Sequence, residues 1–182
     1  MSLPSPQDVL LFWFEEITPQ QQFRKDPAFD QLIAGRFGAL HAQAAAGELH
    51  GWRDTPEGRL AEIIVLDQFS RNLHRDTPMA FAQDATALVL AQEAIRAGAD
   101  RALSAQQRSF LYMPYMHSES KAIQAESVRL FEANGIAHNL DFAIRHKDIV
   151  DRFGRYPHRN AILGRPSTEE EIAFLKTPGS SF

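Results

Sequence analysis

Three ionisable residues fall where helical periodicity calls for apolar ones. Leu60, Ile63 and Ile64 define an inward stripe whose next position is Asp67, and Arg71 follows four residues on, within pairing reach. Phe110, Met113 and His117 share a second face; Phe142, His146, Ile149 and Phe153 share a third. A buried polar group without a partner costs about 1–3 kcal/mol, so some of these residues should meet. A carboxylate beside an imidazole is an acid/base pair. With Glu119 of "HSE" at 117–119, the same set also carries donor types used by divalent metals, but the spacing is not diagnostic and no metal is assigned. The plainer alternative has each histidine bonded to a backbone carbonyl and Asp67 paired with a neighbouring loop.

A second polar concentration lies near the C-terminus. Positions 145–165 hold six lysines and arginines (Arg145, Lys147, Arg152, Arg155, Arg159, Arg165) against Asp148 and Asp151, a net +4 in a chain whose total is −4. Within "RFGRYPHRN", Gly154 suits a left-handed helix end and Pro157 forbids continuation of the same helix. Arg152, Arg155 and Arg159 can reach helix C-terminal carbonyls, or carboxylates such as Asp67 and Glu119. The corner is then either a hydrogen-bonded clamp or a guanidinium cage for a carboxylate or phosphate, since planar donors bind both.

The elements that must position these residues are helices. Proline after a capping residue recurs at Ser5-Pro6, Asp26-Pro27, Thr55-Pro56 and Thr77-Pro78, each before residues at helical spacing. The first is followed by Val9, Leu10, Trp13, Phe14 and Ile17. The second runs toward a stop at Gly47, and the third reaches Phe69, taking the strand-like run "EIIVLDQF" into a buried helix. The fourth turns Phe81, Leu88 and Ile95 inward and ends near Gly98. Ser104 with Gln107 forms a capping box for a fifth helix, which Pro114 should kink or end. A sixth covers roughly 121–132 and stops at Asn134-Gly135; a seventh spans 139–153. Ser167 with Glu170, or Thr168 with Glu171, caps a short last helix. The expected architecture is all-α, about eight helices in antiparallel hairpins, one domain over 1–176 with a frayed tail at 177–182.

Composition removes several function classes. A chain of 182 residues with 44% apolar and 23% charged residues suits one globular domain. No apolar window is long enough to span a bilayer, and the N-terminus lacks the basic start and small-residue cleavage site of a secretory signal. The absence of cysteine excludes disulfides, thiolate ligands and cysteine nucleophiles. A cytoplasmic protein without nucleic-acid or membrane partners is the expectation, and no cofactor motif is present.

Four blocks together carry a family resemblance: "FWF" near the start, "LDQFSRNLHRDTPMAFAQDA" at 66–85, "RSFLYMPYMHSES" at 108–120 and "FGRYPHRNAILGRPSTEEEIAFL" at 153–175. In this order they resemble the bacterial family known as domain of unknown function 924. The pattern falls on Asp67, Gln68, Phe69, Arg71 and Asn72, on His117, Ser118 and Glu119, and on Gly154, Arg155, Pro157, His158, Arg159 and Asn160. Tyr156 stands where phenylalanine is more frequent. The resemblance implies a tetratricopeptide-repeat-like stack of helical hairpins and transfers no chemistry.

The candidate site is therefore Asp67, Arg71, Asn72, His117, Glu119, His146, Arg152, Arg155, His158, Arg159 and Asn160. The first expectation is a binding protein whose cluster holds a small anion or an acidic peptide. The second is a structural clamp, with function on a surface for a protein partner. The third is a metal-dependent or acid/base hydrolase using Asp67, Glu119, His117 and His146.

Overall fold

The computed structural model describes residues 3–181; Met1, Ser2 and Phe182, at the ends of the expected domain and tail, lie outside them. Every regular element among the described residues is helical. Helix α1 (Pro6–Leu11) starts at Ser5, whose hydroxyl accepts from the Asp8 amide while Asp8 answers the Ser5 amide. Helix α2 (Pro19–Phe23), capped the same way by Thr18, was not anticipated. Asp26 caps α3 (Pro27–Ala45), and Thr55 caps α4 (Pro56–Ile64). At the start of α4 the backbone folds so tightly that a methyl on Gly58 would lie 2.0 Å from the Trp52 carbonyl, which reserves that position for glycine.

The third expected helix does not run unbroken to Phe69. After α4 the chain widens into a π-helical turn at Val65–Phe69 and resumes as the single turn α5 (Ser70–Leu73). All five residues of the wide turn are buried, so the hydrophobic surroundings encircle it rather than line one stripe. The fourth expected helix also starts late. Thr77 gives its hydroxyl to the His74 carbonyl instead of capping, Pro78–Phe81 forms a 3₁₀ turn, and α6 (Asp84–Arg96) begins beyond it. Its buried face is Ala87, Ala91 and Ala94, so Phe81, Leu88 and Ile95 are only half-buried. Ser104 and Gln107 cap α7 (Ala105–His117) as anticipated, but Pro114 neither ends nor breaks it. The residues from Ser109 to Met116 are all buried, and packing on all sides carries the helix past the missing hydrogen bond.

Helices α8 (Lys121–Asn134) and α9 (Ala137–Phe153) follow, each closed by a left-handed glycine, Gly135 at φ 80° and Gly154 at φ 70°. The short last helix α10 (Glu169–Phe174) takes the Thr168–Glu171 box of the two that the sequence offered. Beyond it, Thr177 donates to the Phe174 carbonyl and the buried Ser180 to that of Leu175.

Short links make successive helices antiparallel neighbours. Helices α7, α8 and α9 pack in sequence, α6 lies against α7, and α1 and α3 close over α4 and α5. The main core is aromatic at its centre: Phe37 lies 4.9 Å from both Phe12 and Phe69, and Trp13 reaches Phe69 and Phe110 at 5.6 and 5.7 Å. A smaller cluster of Ile149, Val150 and Tyr156, backed by Phe153 and Phe174, seats the C-terminal corner. No helix among the described residues is long and apolar enough to cross a membrane.

Candidate functional site

The 3₁₀ turn Pro78–Phe81, the start of α6, the end of α7 and the 3₁₀ turn Pro157–Arg159 line one cleft, and residues of the π turn and α5 bond its wall from behind. Its volume is about 400 Å³. One wall is apolar, with Phe81, Leu88 and Leu163; the other carries Asp84, His117, Ser118, Glu119 and Arg159.

Behind the polar wall sits Asp67, 1% exposed. Its Oδ1 lies 2.7 Å from His117 Nδ1 and 3.2 Å from Arg71 Nη1, and its Oδ2 accepts from Gln68 Nε2 at 2.6 Å. Burial opposes a charge on Asp67, but Arg71 and His117 outweigh it and hold the carboxyl below the usual carboxylate range. An ionised Asp67 can only accept, so Nδ1 of His117 carries the proton and Nε2 keeps its lone pair. Burial, aided by the nearby Arg71 charge, lowers the imidazole pKa against the pull of Asp67. The dyad is thus a neutral imidazole on a buried carboxylate, with Nε2 unbonded among the described residues.

Arg71 bridges the two halves of the wall. It donates to the Asp67 carbonyl at 2.6 Å and to Asp84 Oδ2 at 3.2 Å. Arg159 approaches the same Asp84 oxygen at 3.2 Å, and two guanidinium groups therefore share one carboxylate. Arg159 lies over Phe81 and Tyr156, 4.5 and 4.7 Å from the ring centroids, and burial depresses its pKa.

The three residues with which the sequence reading began do not form one hydrogen-bonded group. Asp67 and His117 pair; His146 instead donates Nδ1 to the Phe142 carbonyl at 2.8 Å, with its ring 6.5 Å from that of His117. Burial pushes His146 down to about 3 and His158, tilted against Tyr156, to about 4. No group of three His, Asp or Glu side chains suited to a metal exists among the described residues.

The arginine corner also divides. Arg155 holds the buried Glu171 bidentately at 2.6 and 2.8 Å, and Arg152 pairs with Glu170 at 2.8 Å over Phe153 and Phe174. Neither reaches Asp67 or Glu119, because α10 folds back and supplies nearer carboxylates. Glu119 is gripped instead by Arg165 at 2.6 and 2.9 Å and accepts from the Tyr156 amide. Asn160 ties Ser167 and Glu171 to Arg165. Asn72 faces away from the cleft and, with Arg75, holds Asp30. The six cations of positions 145–165 are each paired, with Asp141, Asp151, Glu170, Glu171, Glu119 and Asp84. Asp84, Phe81 and Arg165 were not among the candidate site residues. Asp84 opens a helix and resembles an ordinary first-turn acid, so only its position in the block at 66–85 could have marked it.

This arrangement defines an all-helical protein with a buried Asp–His dyad on the wall of a small cleft. The chain belongs to DUF924, described as bacterial proteins of unknown function, whose pattern it matches over residues 9–179. It is also similar to the solved structure of a protein of unknown function from Agrobacterium tumefaciens. The two share 43% identity and a TM-score of 0.90, covering 94% of this chain and 96% of that one. Comparison with curated proteins gave no match.

Proposed function

We propose that the cleft binds a small anion, a carboxylate or phosphate, on Arg159, with His117 beside it on the same wall. The observation that carries this reading is the state of Arg159. The residue is 7% exposed and lines the cleft, yet the one hydrogen bond of its guanidinium among the described residues is the 3.2 Å contact to the shared Asp84. Nε has no partner there. A buried guanidinium with most of its donors unused is costly by itself and favours an anion that completes it. A volume near 400 Å³ suits a small molecule, which favours a metabolite over an acidic peptide. For Arg152, Arg155 and Asn160 the contacts favour the clamp reading instead, since their partners lie within the C-terminal segment.

Calorimetric titration with acetate, succinate and phosphate tests the reading. The wild type should bind at least one of them saturably, and Arg159→Gln should weaken it at least about tenfold, the loss of one charge-assisted contact. Ala85→Trp, on an exposed cleft position of α6, should abolish binding without lowering the melting temperature. Equal affinity in Arg159→Gln would contradict the reading.

A further inference from the structure

We propose that the cleft is hydrolytic: His117, oriented by Asp67, activates a water against a small carboxylic ester, and the carboxylate product is the anion that Arg159 holds. The inference rests on the anion-binding reading of the same cleft and adds a reaction to it.

The geometry is that of a general base. Asp67 fixes the tautomer and ring orientation of His117 through a 2.7 Å bond to Nδ1, and His117 lines the cleft with Nε2 uncommitted among the described residues. Arg71 and Gln68 in turn fix the Asp67 carboxylate, one at each oxygen, so it cannot rotate without losing both partners. A histidine retained only for packing has no need of a buried carboxylate held this firmly.

The surroundings select hydrolysis. The chain has no cysteine. The Ser118 hydroxyl accepts from the Ser120 amide and makes no bond to His117 among the described residues, and the Tyr156 hydroxyl donates to the Met116 carbonyl. With no side chain set up as a nucleophile, water is the reactant at hand. Of the acids on the wall, Asp84 is shared by Arg71 and Arg159, and Glu119, paired with Arg165 and lowered by it, is a poor proton donor. An isomerisation needs a separate acid, whereas in hydrolysis one imidazole serves both steps.

The step balances with water alone. Nε2 takes a proton from water as the water oxygen bonds to the acyl carbon, and the carbonyl pair moves onto oxygen beside the Arg159 cation. The tetrahedral species then expels the alkoxide, which takes the proton from Nε2. The products are an alcohol and an acid that ionises to the carboxylate. The apolar wall of Phe81, Leu88 and Leu163 suits a short aliphatic acyl or alkyl group.

The test is hydrolysis of 4-nitrophenyl acetate and 4-nitrophenyl butyrate by the full chain, with circular dichroism melts of every variant. The wild type should turn over at least one ester saturably. His117→Gln should lose at least about 100-fold, as expected for removal of a general base. His50→Gln, an exposed histidine remote from the cleft residues, should leave the rate unchanged and sets the level of adventitious imidazole catalysis. The rate should rise with pH to a plateau, with its midpoint below that of an ordinary histidine, because burial lowers the His117 pKa. Should His117→Gln not fold, Ala85→Trp supplies the same test by filling the cleft. Wild-type turnover no faster than His117→Gln or Ala85→Trp overturns the inference. Acetate binding that persists without turnover overturns hydrolysis alone, whereas His117-dependent turnover without carboxylate binding sustains hydrolysis and sinks the anion reading.

Discussion

His117 Nδ1 and Asp67 Oδ1, fifty residues apart in sequence, meet at 2.7 Å behind the wall of a cleft. The π turn at Val65–Phe69 carries this carboxylate: all five of its residues are buried, Asp67 facing inward at the end of α7 and Leu66 and Phe69 in the core. Wide turns of this kind are costly irregularities and often mark functional positions. Here the turn delivers a carboxylate to a place that an ordinary helix would fill with a hydrocarbon.

Asp67→Asn should therefore destabilise the fold. The substitution leaves Arg71 sharing Asp84 with Arg159, without a carboxylate of its own, and the loss should be about 3–5 kcal/mol, as for breaking a buried charge pair. Denaturant midpoints measure it. A variant as stable as the wild type would show that the dyad is not held by charge.

Acid should unfold the protein early. His146 and His158 titrate at about 3 and about 4 in the folded chain, and His117 is also lowered, against about 6.5 when unfolded. Between those limits the unfolded chain binds more protons, so stability falls as pH drops below about 6.5. Asp67 and Glu119, lowered when folded, add a further loss once pH falls through the ordinary carboxylate range. Above pH 7 these groups contribute no slope. Melting temperatures from pH 7.5 to 4.5 should decline steadily, and a flat profile would contradict the buried neutral histidines.

The sequence placed Asp67 and His117 correctly because phase along a helix survives small irregularities: Leu60, Ile63 and Ile64 predict an inward position 67 in either an α or a π turn. It placed the capping box at Ser104 for the same local reason, and offered Thr168 as one of two starts for the last helix. Partner choice was not legible. Which carboxylate meets Arg155 depends on α10 folding back across the corner, and which meets Arg159 depends on α6 beginning at Asp84 rather than after Pro78. Both are tertiary outcomes that no local spacing encodes.

Arg155→Ala separates the clamp from the cleft. It removes the bidentate partner of Glu171 and should lower the melting temperature, yet leave carboxylate affinity within about twofold, because its contacts lie on the far side of the corner. A parallel loss of affinity would mean that the corner and the cleft act as one unit.

The most direct measurement is NMR of arginine Nε–H and histidine ring nitrogens while acetate is titrated into the full chain. The account predicts that the signals of Arg159 and His117 shift together with one saturation curve, while those of Arg152 and Arg155, already committed to Glu170 and Glu171, stay in place. Shifts spread equally over all four residues, or none at Arg159, would contradict it.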